Sequence, residues 1–383
     1  MSTIRALAAT EGSATAVLPN LPPPRPDAAI YSELKPLGAC DSIRDEWAEL
    51  AGRALEANPC LEPGFALAAA QHLVSFHDAE LMLLWQGDPG SERRRLVGLV
   101  PCRTRRRFLA PDTLGGFADP RLLNGTPLLD RTFAAPALAA FLRGWRERSD
   151  VSQPFSLSGI DPAGAFATAL AHVAERHGVA VGWQPLVGRA LELPSTARIA
   201  TSDAILRDRG RLALAEAMNQ ADRRDAVEIL LAIEASGSRG RAGKATLQDT
   251  REVGFLRRMS RDLGRQKLCR IAILVLDERP IAAALTLGKG PSCWLYHGVG
   301  DEAHAELEPL PMLLAMMRKA QPARQILLPG GLPLFGARDE AFGTITLTRH
   351  PQQRARRPAE LAIHMRERMA RALFRPRPAA VDG

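Results

Sequence analysis

Cys269-Arg-Ile-Ala-Ile-Leu-Val-Leu276, then Asp277-Glu-Arg279, then Pro280-Ile-Ala-Ala-Ala-Leu-Thr-Leu287, then Cys293-Trp-Leu-Tyr-His-Gly-Val299: this run decides the fold. It holds three apolar stretches of strand length, the first two separated by a short charged turn, and predicts three successive strands. Upstream, Gln220–Ala235 and Thr250–Gly264 carry helical periodicity on either side of Ser236-Gly-Ser-Arg-Gly-Arg-Ala-Gly243. Downstream, the acidic loop Gly300-Asp-Glu-Ala-His-Ala-Glu-Leu-Glu-Pro-Leu310 leads into a helix over Met312–Lys319.

The same order of elements appears in the first half. A helix over Gly64–Phe76 precedes the strand Ala79–Trp85, a polar turn at Gln86–Arg94, and a strand at Arg95–Pro101. Adjacent strands joined by short turns pair antiparallel, so the sheets are expected to be mixed and mostly antiparallel, flanked by helices, in an α/β (α+β) chain. Pattern alone does not separate a duplication from two unrelated α/β units. Residues 1–30, rich in Ala, Ser and Thr and ending in a Pro-rich run, are expected to form a disordered tail, as is 375–383. A boundary near Leu193–Ile199 divides the rest into 31–194 and 195–374. His350–Pro358 reads as a basic loop before a last helix, Ala359–Leu373.

Composition narrows the function. The chain has 383 residues, enough for two domains, and a net charge of +8, which suits anionic partners. Only 5% of residues are aromatic, which argues against stacking platforms for RNA. Five cysteines without CxxC spacing predict neither a disulfide framework nor a metal site, and Cys269 and Cys293 read as buried apolar residues. Gly115-Gly116 and Gly330-Gly331 read as turn signals, since neither has phosphate-loop spacing. No Ser-His-Asp order has local context, and no DNA partner is expected. The start of the chain has no signal-peptide pattern, and no apolar span of membrane length occurs, so a cytoplasmic protein that does not span a membrane is expected.

The stretch 205–320, with Trp47-Ala-Glu-Leu50 and Asn58-Pro-Cys-Leu-Glu-Pro-Gly-Phe65, resembles the GCN5-related N-acetyltransferase (GNAT) superfamily. Within it, the chain is similar to the FemAB-like, double-domain group linked to cellulose and other exopolysaccharide biosynthesis (CelD-like). The resemblance implies two tandem GNAT-like domains. It also implies direct transfer of an acyl group, usually acetyl, from acyl-CoA as co-substrate to an amine of an amino sugar or polysaccharide precursor, with polysaccharide-biosynthesis proteins as partners. A non-catalytic scaffold and a FemAB-type transferase using aminoacyl-tRNA are the alternatives.

Placed on this chain, the resemblance makes Cys293–Val299 the splayed strand. The cofactor-binding residues would then be Val299, Pro309, Leu310 and Met312, around the start of the next helix. There the group carries Ser-Pro-Gly and this chain carries Glu308-Pro-Leu310. A carboxylate repels phosphate, and Leu hinders close backbone approach. Trp-Lys-Gly-Arg of the group is Ser238-Arg-Gly-Arg241 here. Candidate catalytic residues are Asp301, His304 and Glu308, beside the implied cleft; His304 is the general base expected near neutral pH, with Glu308 as the other candidate. Candidate substrate-binding residues are Arg239 and Arg241, suited to grip a carboxylate or phosphate, and Tyr296 and His297. As neighbours on a strand, Tyr296 and His297 are expected on opposite faces. Arg103-Thr-Arg-Arg-Arg107 is expected at an exposed strand end, and the Met312–Met317 stripe in the core.

Overall fold

The computed structural model describes residues 29–91, 93–106, 112–148, 153–186, 194–328, 334 and 342–349. The first half contains β1 (Ile30–Pro36), α1 (Arg44–Gly52), α2 (Pro63–His72), β2 (Glu80–Gln86), β3 (Arg95–Arg105), β4 (Thr113–Gly116), β5 (Leu128–Leu129), α3 (Ala134–Arg148), β6 (Phe155–Ile160), α4 (Ala165–Arg176) and β7 (Val179–Pro185). The second contains α5 (Thr196–Arg209), β8 (Leu212–Glu216), α6 (Gln220–Ser236), α7 (Ser238–Arg241), α8 (Thr250–Arg265), β9 (Cys269–Leu276), β10 (Arg279–Leu287), β11 (Ser292–Gly300), α9 (Pro309–Ala320) and β12 (Gln325–Leu327), followed by β13 (Gly343–Arg349).

Local chemistry accounts for the boundaries in the second half. Asn219 and Asp222 form a reciprocal capping box at the start of α6, and Asp249 caps α8 through the Arg251 and Glu252 amides. The β9–β10 turn uses Asp277 and Glu278, both at positive φ (46° and 68°), the geometry that suits a tight hairpin. Strands β8 to β12 form one sheet in the order β12-β11-β10-β9-β8, antiparallel except for the β11–β12 pair. In the first half, β1-β2-β3-β4 form an antiparallel sheet with β5 added to β3.

The third sheet links the ends of the chain. Strand β13 lies between β6 and β7, antiparallel to both. A division at 194/195 places β13 with the second unit, whereas both its strand partners are in the first half. Sequence adjacency does not fix such a pairing, because a ladder depends on matched edges and not on chain distance. The expected turn at Gly115-Gly116 is instead part of β4, and the N-terminal tail is bounded earlier than residue 30, since Ile30 opens β1. Residues 1–28, Gly330-Gly331, His350–Pro358, Ala359–Leu373 and 375–383 lie outside the described residues.

The two halves share one core. Trp47, Phe65, Leu83 and Trp85 of the first half pack in the same buried cluster as Leu230, Phe255, Met259 and Leu285 of the second. Phe65 meets the Phe255 ring edge-on, with centroids 5.4 Å apart. Helix α2 is buried from Pro63 to Ala69, and Gly64 lets it approach α8: a Cβ there would lie 3.1 Å from Asp262 Cβ. Trp47 donates its indole N–H to Leu61 O at 2.7 Å, fixing the Asn58–Phe65 run. Asn58 donates to the carbonyls of Asn124 and Thr126 and so ties this run to the segment after β4. All five cysteines are buried thiols. Met312 is in the core of the second sheet, with Met316 and Met317 packed at its edge. Arg103, at the end of β3, pairs with Asp78 at 2.7 Å and stacks on Phe117.

Candidate active site

The Val227, Leu230, Leu231 stripe of α6 faces the core, and its next helical position is Glu234. This carboxylate is therefore buried, with only 2% of its side chain exposed. It also lies in the last turn of α6, where the helix dipole opposes a negative charge. Three groups hold it there. Thr246 N–H donates to Oε2 at 2.8 Å, Arg239 Nε lies 2.9 Å from Oε1, and His297 Nε2 lies 3.5 Å from the same oxygen. Burial alone would push the carboxyl up; the bonds from His297 and Thr246 outweigh it and hold the group down at about 2.

His297 reaches α6 because of a break in the sheet. In the β10–β11 ladder Leu285 faces His297 and Thr286 faces Leu295, so Tyr296 is an extra residue, a β-bulge. The expectation that Tyr296 and His297 face opposite sides is corrected by this bulge. Both side chains lie on the α6/α8 side of the sheet and line the same cavity. The Tyr296 ring packs edge-on against Phe65 at 5.8 Å, and burial, with Cys60 adding to it, pushes its phenol above the ordinary range, so it remains a hydrogen-bond donor.

The cavity measures about 750 Å³, within the usual size range of small-molecule sites. Its walls come from both halves: Pro120, Arg121 and Leu123 after β4; Arg239 of α7; Gly243–Thr246 between α7 and α8; Asp249, the cap of α8, with Glu252 and Phe255 of that helix; and Tyr296 and His297 of β11. Arg121 bonds Glu252 across the junction and also reaches Asp119. Three cations (Arg121, Arg239, Lys244) and two carboxylates (Asp249, Glu252) line the space, in addition to the His297–Glu234 pair behind it. The loop carrying Arg239 is held close to α6 by Gly240, where a Cβ would lie 1.7 Å from Ala235 O. One helical turn before Phe65, burial raises the Glu62 carboxyl to about 7, partly offset by Lys289.

Of the substrate-binding candidates, the structure brings Arg239, Tyr296 and His297 together. Arg241 points elsewhere: its carboxylate partner is Glu302, at 2.7 Å, which also accepts the Ser238 N–H. The catalytic candidates lie in the segment after β11. Asp301 caps a 3-10 turn through Ala303 N–H. His304 N–H bonds Asp301 O, and its Nδ1 is buried without a hydrogen-bond partner. Glu308 caps α9 in the left-handed region (φ 52°) and pairs with Arg198 of α5 at 3.0 Å. None of the three lines the cavity described above.

The implied cofactor-binding residues form a poor phosphate cradle. Among the first three positions of α9, Pro309 and Pro311 have no N–H, which leaves Leu310 as the one backbone donor. Leu310 packs against β11, where a Cβ on Gly298 would lie 3.1 Å from its side chain. Met312 is 2% exposed and belongs to the core, and Val299 packs against the shared cluster. The start of α9 thus does not fit a pyrophosphate: two of its three first backbone donors are missing, its approach is filled, and the residue at its N-cap position carries a carboxylate. Residues that sequence reasoning missed are Glu234, Arg121, Lys244, Thr246 and Glu62. Glu234 carried a readable signal, a charge on an apolar helical stripe. Among the described residues, no cluster of His, Cys, Asp and Glu has metal-site geometry, and no helix is long and apolar enough to cross a membrane.

No curated protein matches the sequence. Among solved structures, FemX is 10% identical with a TM-score of 0.46, over 81% of this chain and 97% of its own. The C-terminal domain of a putative lysylphosphatidylglycerol synthetase from Agrobacterium fabrum is 12% identical (TM-score 0.43; 85% and 96% covered). A tandem GNAT protein from the clavulanic acid biosynthesis pathway is 13% identical (TM-score 0.33; 82% and 98% covered). Residues 198–327 match the acetyltransferase (GNAT) domain family. The segment carrying Glu234, Arg239, Tyr296 and His297 is thus the segment that matches a GNAT acetyltransferase domain.

Proposed function

We propose that the protein is an N-acyltransferase whose acceptor amine binds in the cavity between the two halves. The observation that carries this reading is His297 on the cavity wall, backed by the buried Glu234 carboxylate. Nε2 faces the carboxylate, and in the proposed step Nδ1 is the atom that accepts the amine proton. As the amine attacks the acyl carbonyl, an N–C bond forms and the amine proton passes to His297. The protonated Tyr296 hydroxyl is the donor for the developing oxyanion. The bond to the donor's leaving atom then breaks, and the leaving group takes a proton. Arg239 and Lys244 hold an acidic group on the acceptor and so orient its amine.

The acceptor class suggested by the sequence resemblance is an amino sugar or another amine of a polysaccharide precursor, and the protein would work beside other polysaccharide-biosynthesis proteins. The GNAT match implies an acyl-CoA donor in general. Since the start of α9 does not fit its pyrophosphate, weak CoA binding is expected. That misfit also favours a second reading, in which the donor is aminoacyl-tRNA or the module is a non-catalytic scaffold. Thermal-shift titration with acetyl-CoA, longer acyl-CoAs and free CoA, paired with mass spectrometry of amino-sugar acceptors, separates the readings. A small shift together with product that disappears in His297→Ala supports acyl transfer from CoA. No shift and no product with any acyl-CoA overturns it in favour of the second reading.

A further inference from the structure

Helices α6 and α8 form a second recess, about 760 Å³, that shares no lining residue with the acceptor cavity. Its walls carry four guanidinium groups, from Arg223 and Arg224 on α6 and from Arg257 and Arg261 on α8, against one lining carboxylate, Glu228. Glu228 is fully engaged: Arg257 grips it in a fork, at 2.7 and 2.8 Å. Arg224 donates its Nε–H to Asp225 at 3.0 Å, and Arg261 lies 3.6 Å from Asp262, with most of the first side chain and about half of the second exposed. Arg223 Nε is buried over Gly264 and makes no hydrogen bond. Arg223 and Arg261 have no hydrogen-bonded carboxylate among the described residues, and the exposed Arg224 is paired with its own chain neighbour. The recess keeps an excess of positive charge, which favours an anionic ligand.

We infer that this recess binds a diphosphate-bearing small molecule. The guanidinium fork matches phosphate oxygens in pairs, and residues from two helices can grip neighbouring phosphates. The volume suits a nucleotide-sized ligand. The lining contains no aromatic residue, so no base stacks there and the phosphates carry the recognition. This inference does not depend on the acyl-transfer reading.

Isothermal titration of the full chain with inorganic pyrophosphate, UDP and a single-stranded RNA 20-mer tests it. Pyrophosphate and UDP should bind and compete with one another. Arg224→Ala/Arg261→Ala should weaken both at least tenfold, with unfolding by circular dichroism unchanged. Arg224→Lys/Arg261→Lys, which keeps the charge and removes the fork, should fall between. Arg239→Ala, in the other cavity, should leave pyrophosphate binding intact. Absence of pyrophosphate binding, binding unaffected by the double alanine variant, or RNA bound without competition from pyrophosphate would each overturn the assignment.

Discussion

Each half of the molecule has a place where neighbouring strands part, and the two gaps are filled differently. In the first half β4 and β6 run side by side in separate sheets. The space between them is closed by main chain: a Cβ on Gly116 would lie 1.8 Å from Ser156 O, and one on Gly125 would lie 2.1 Å from Ser158 O. In the second half, among the described residues, β12 pairs with β11 at Ser292, Cys293 and Trp294, and β11 continues beyond that ladder, still paired to β10, through His297 to Gly300. There the neighbouring space is lined with titratable side chains. Glycine-backed closure offers nothing to a ligand beyond van der Waals contact, whereas the bulged strand presents a phenol and an imidazole to one cavity. Titratable side chains gather at the junction, whereas main chain fills the first-half gap.

The strongest way to break this contrast is to remove its base. His297→Ala should lower acyl transfer about 10²–10⁴-fold, the range for losing a general base, with an unchanged unfolding transition. A smaller kinetic effect than tenfold would mean that the imidazole only fills space. The first-half gap is tested by Gly116→Val. With no room for a Cβ beside Ser156 O, the substitution should destabilise the fold by about 3 kcal/mol in urea unfolding. A neutral result would show that this gap is open enough to yield.

The two halves should also answer pH with opposite signs. Glu62 has its carboxyl raised to about 7, so it opposes folding when ionised. Its neutral form is fully favourable below the unfolded value near 4.5, and that advantage is lost as pH rises through 7. Glu62→Gln should therefore stabilise the protein by about 2–3 kcal/mol at pH 8 and have little effect at pH 4. Glu234, held down at about 2, works the other way. Its contribution is present above 4.5 and disappears as pH falls toward 2, so Glu234→Gln should cost about 2–3 kcal/mol at pH 7 and little at pH 2. Chemical denaturation across this range reads both; parallel pH profiles would refute the contrast.

The smallest expected effect sharpens the view of α9. Glu308→Asn removes the carboxylate and keeps a residue that accepts positive φ. CoA binding should tighten about two- to thirtyfold, from a helix-end charge worth about 0.3–2 kcal/mol. Calorimetry showing unchanged affinity would place the cofactor phosphates away from this helix.

The second half was legible in sequence because its signals are local. Helical periodicity over Gln220–Ala235 and Thr250–Gly264, and apolar runs broken by Asp277–Arg279, lie within a few residues of the observed α6, α8 and β9–β10 boundaries. The cavity was less legible. The bulge at Tyr296 depends on how β11 matches β10, and pairing register is not written in the strand itself. Glu234 acquires meaning only when Arg239, Thr246 and His297 close around it from three other segments. Gly116 reads as a turn residue because close backbone approach and turning favour the same side-chain absence.

Strand β13 sets an order on synthesis. Ser156 and Thr346, hydroxyl partners 3.3 Å apart, are separated by 190 positions. While the ribosome is still making the second half, β6 and β7 have no strand between them, and their unpaired N–H and C=O groups can pair with other chains. This ladder can close only after residue 349 has emerged, and contacts so distant in sequence form slowly. The edges of β6 and β7 that face each other are therefore open until β13, the last described strand, fills the space between them.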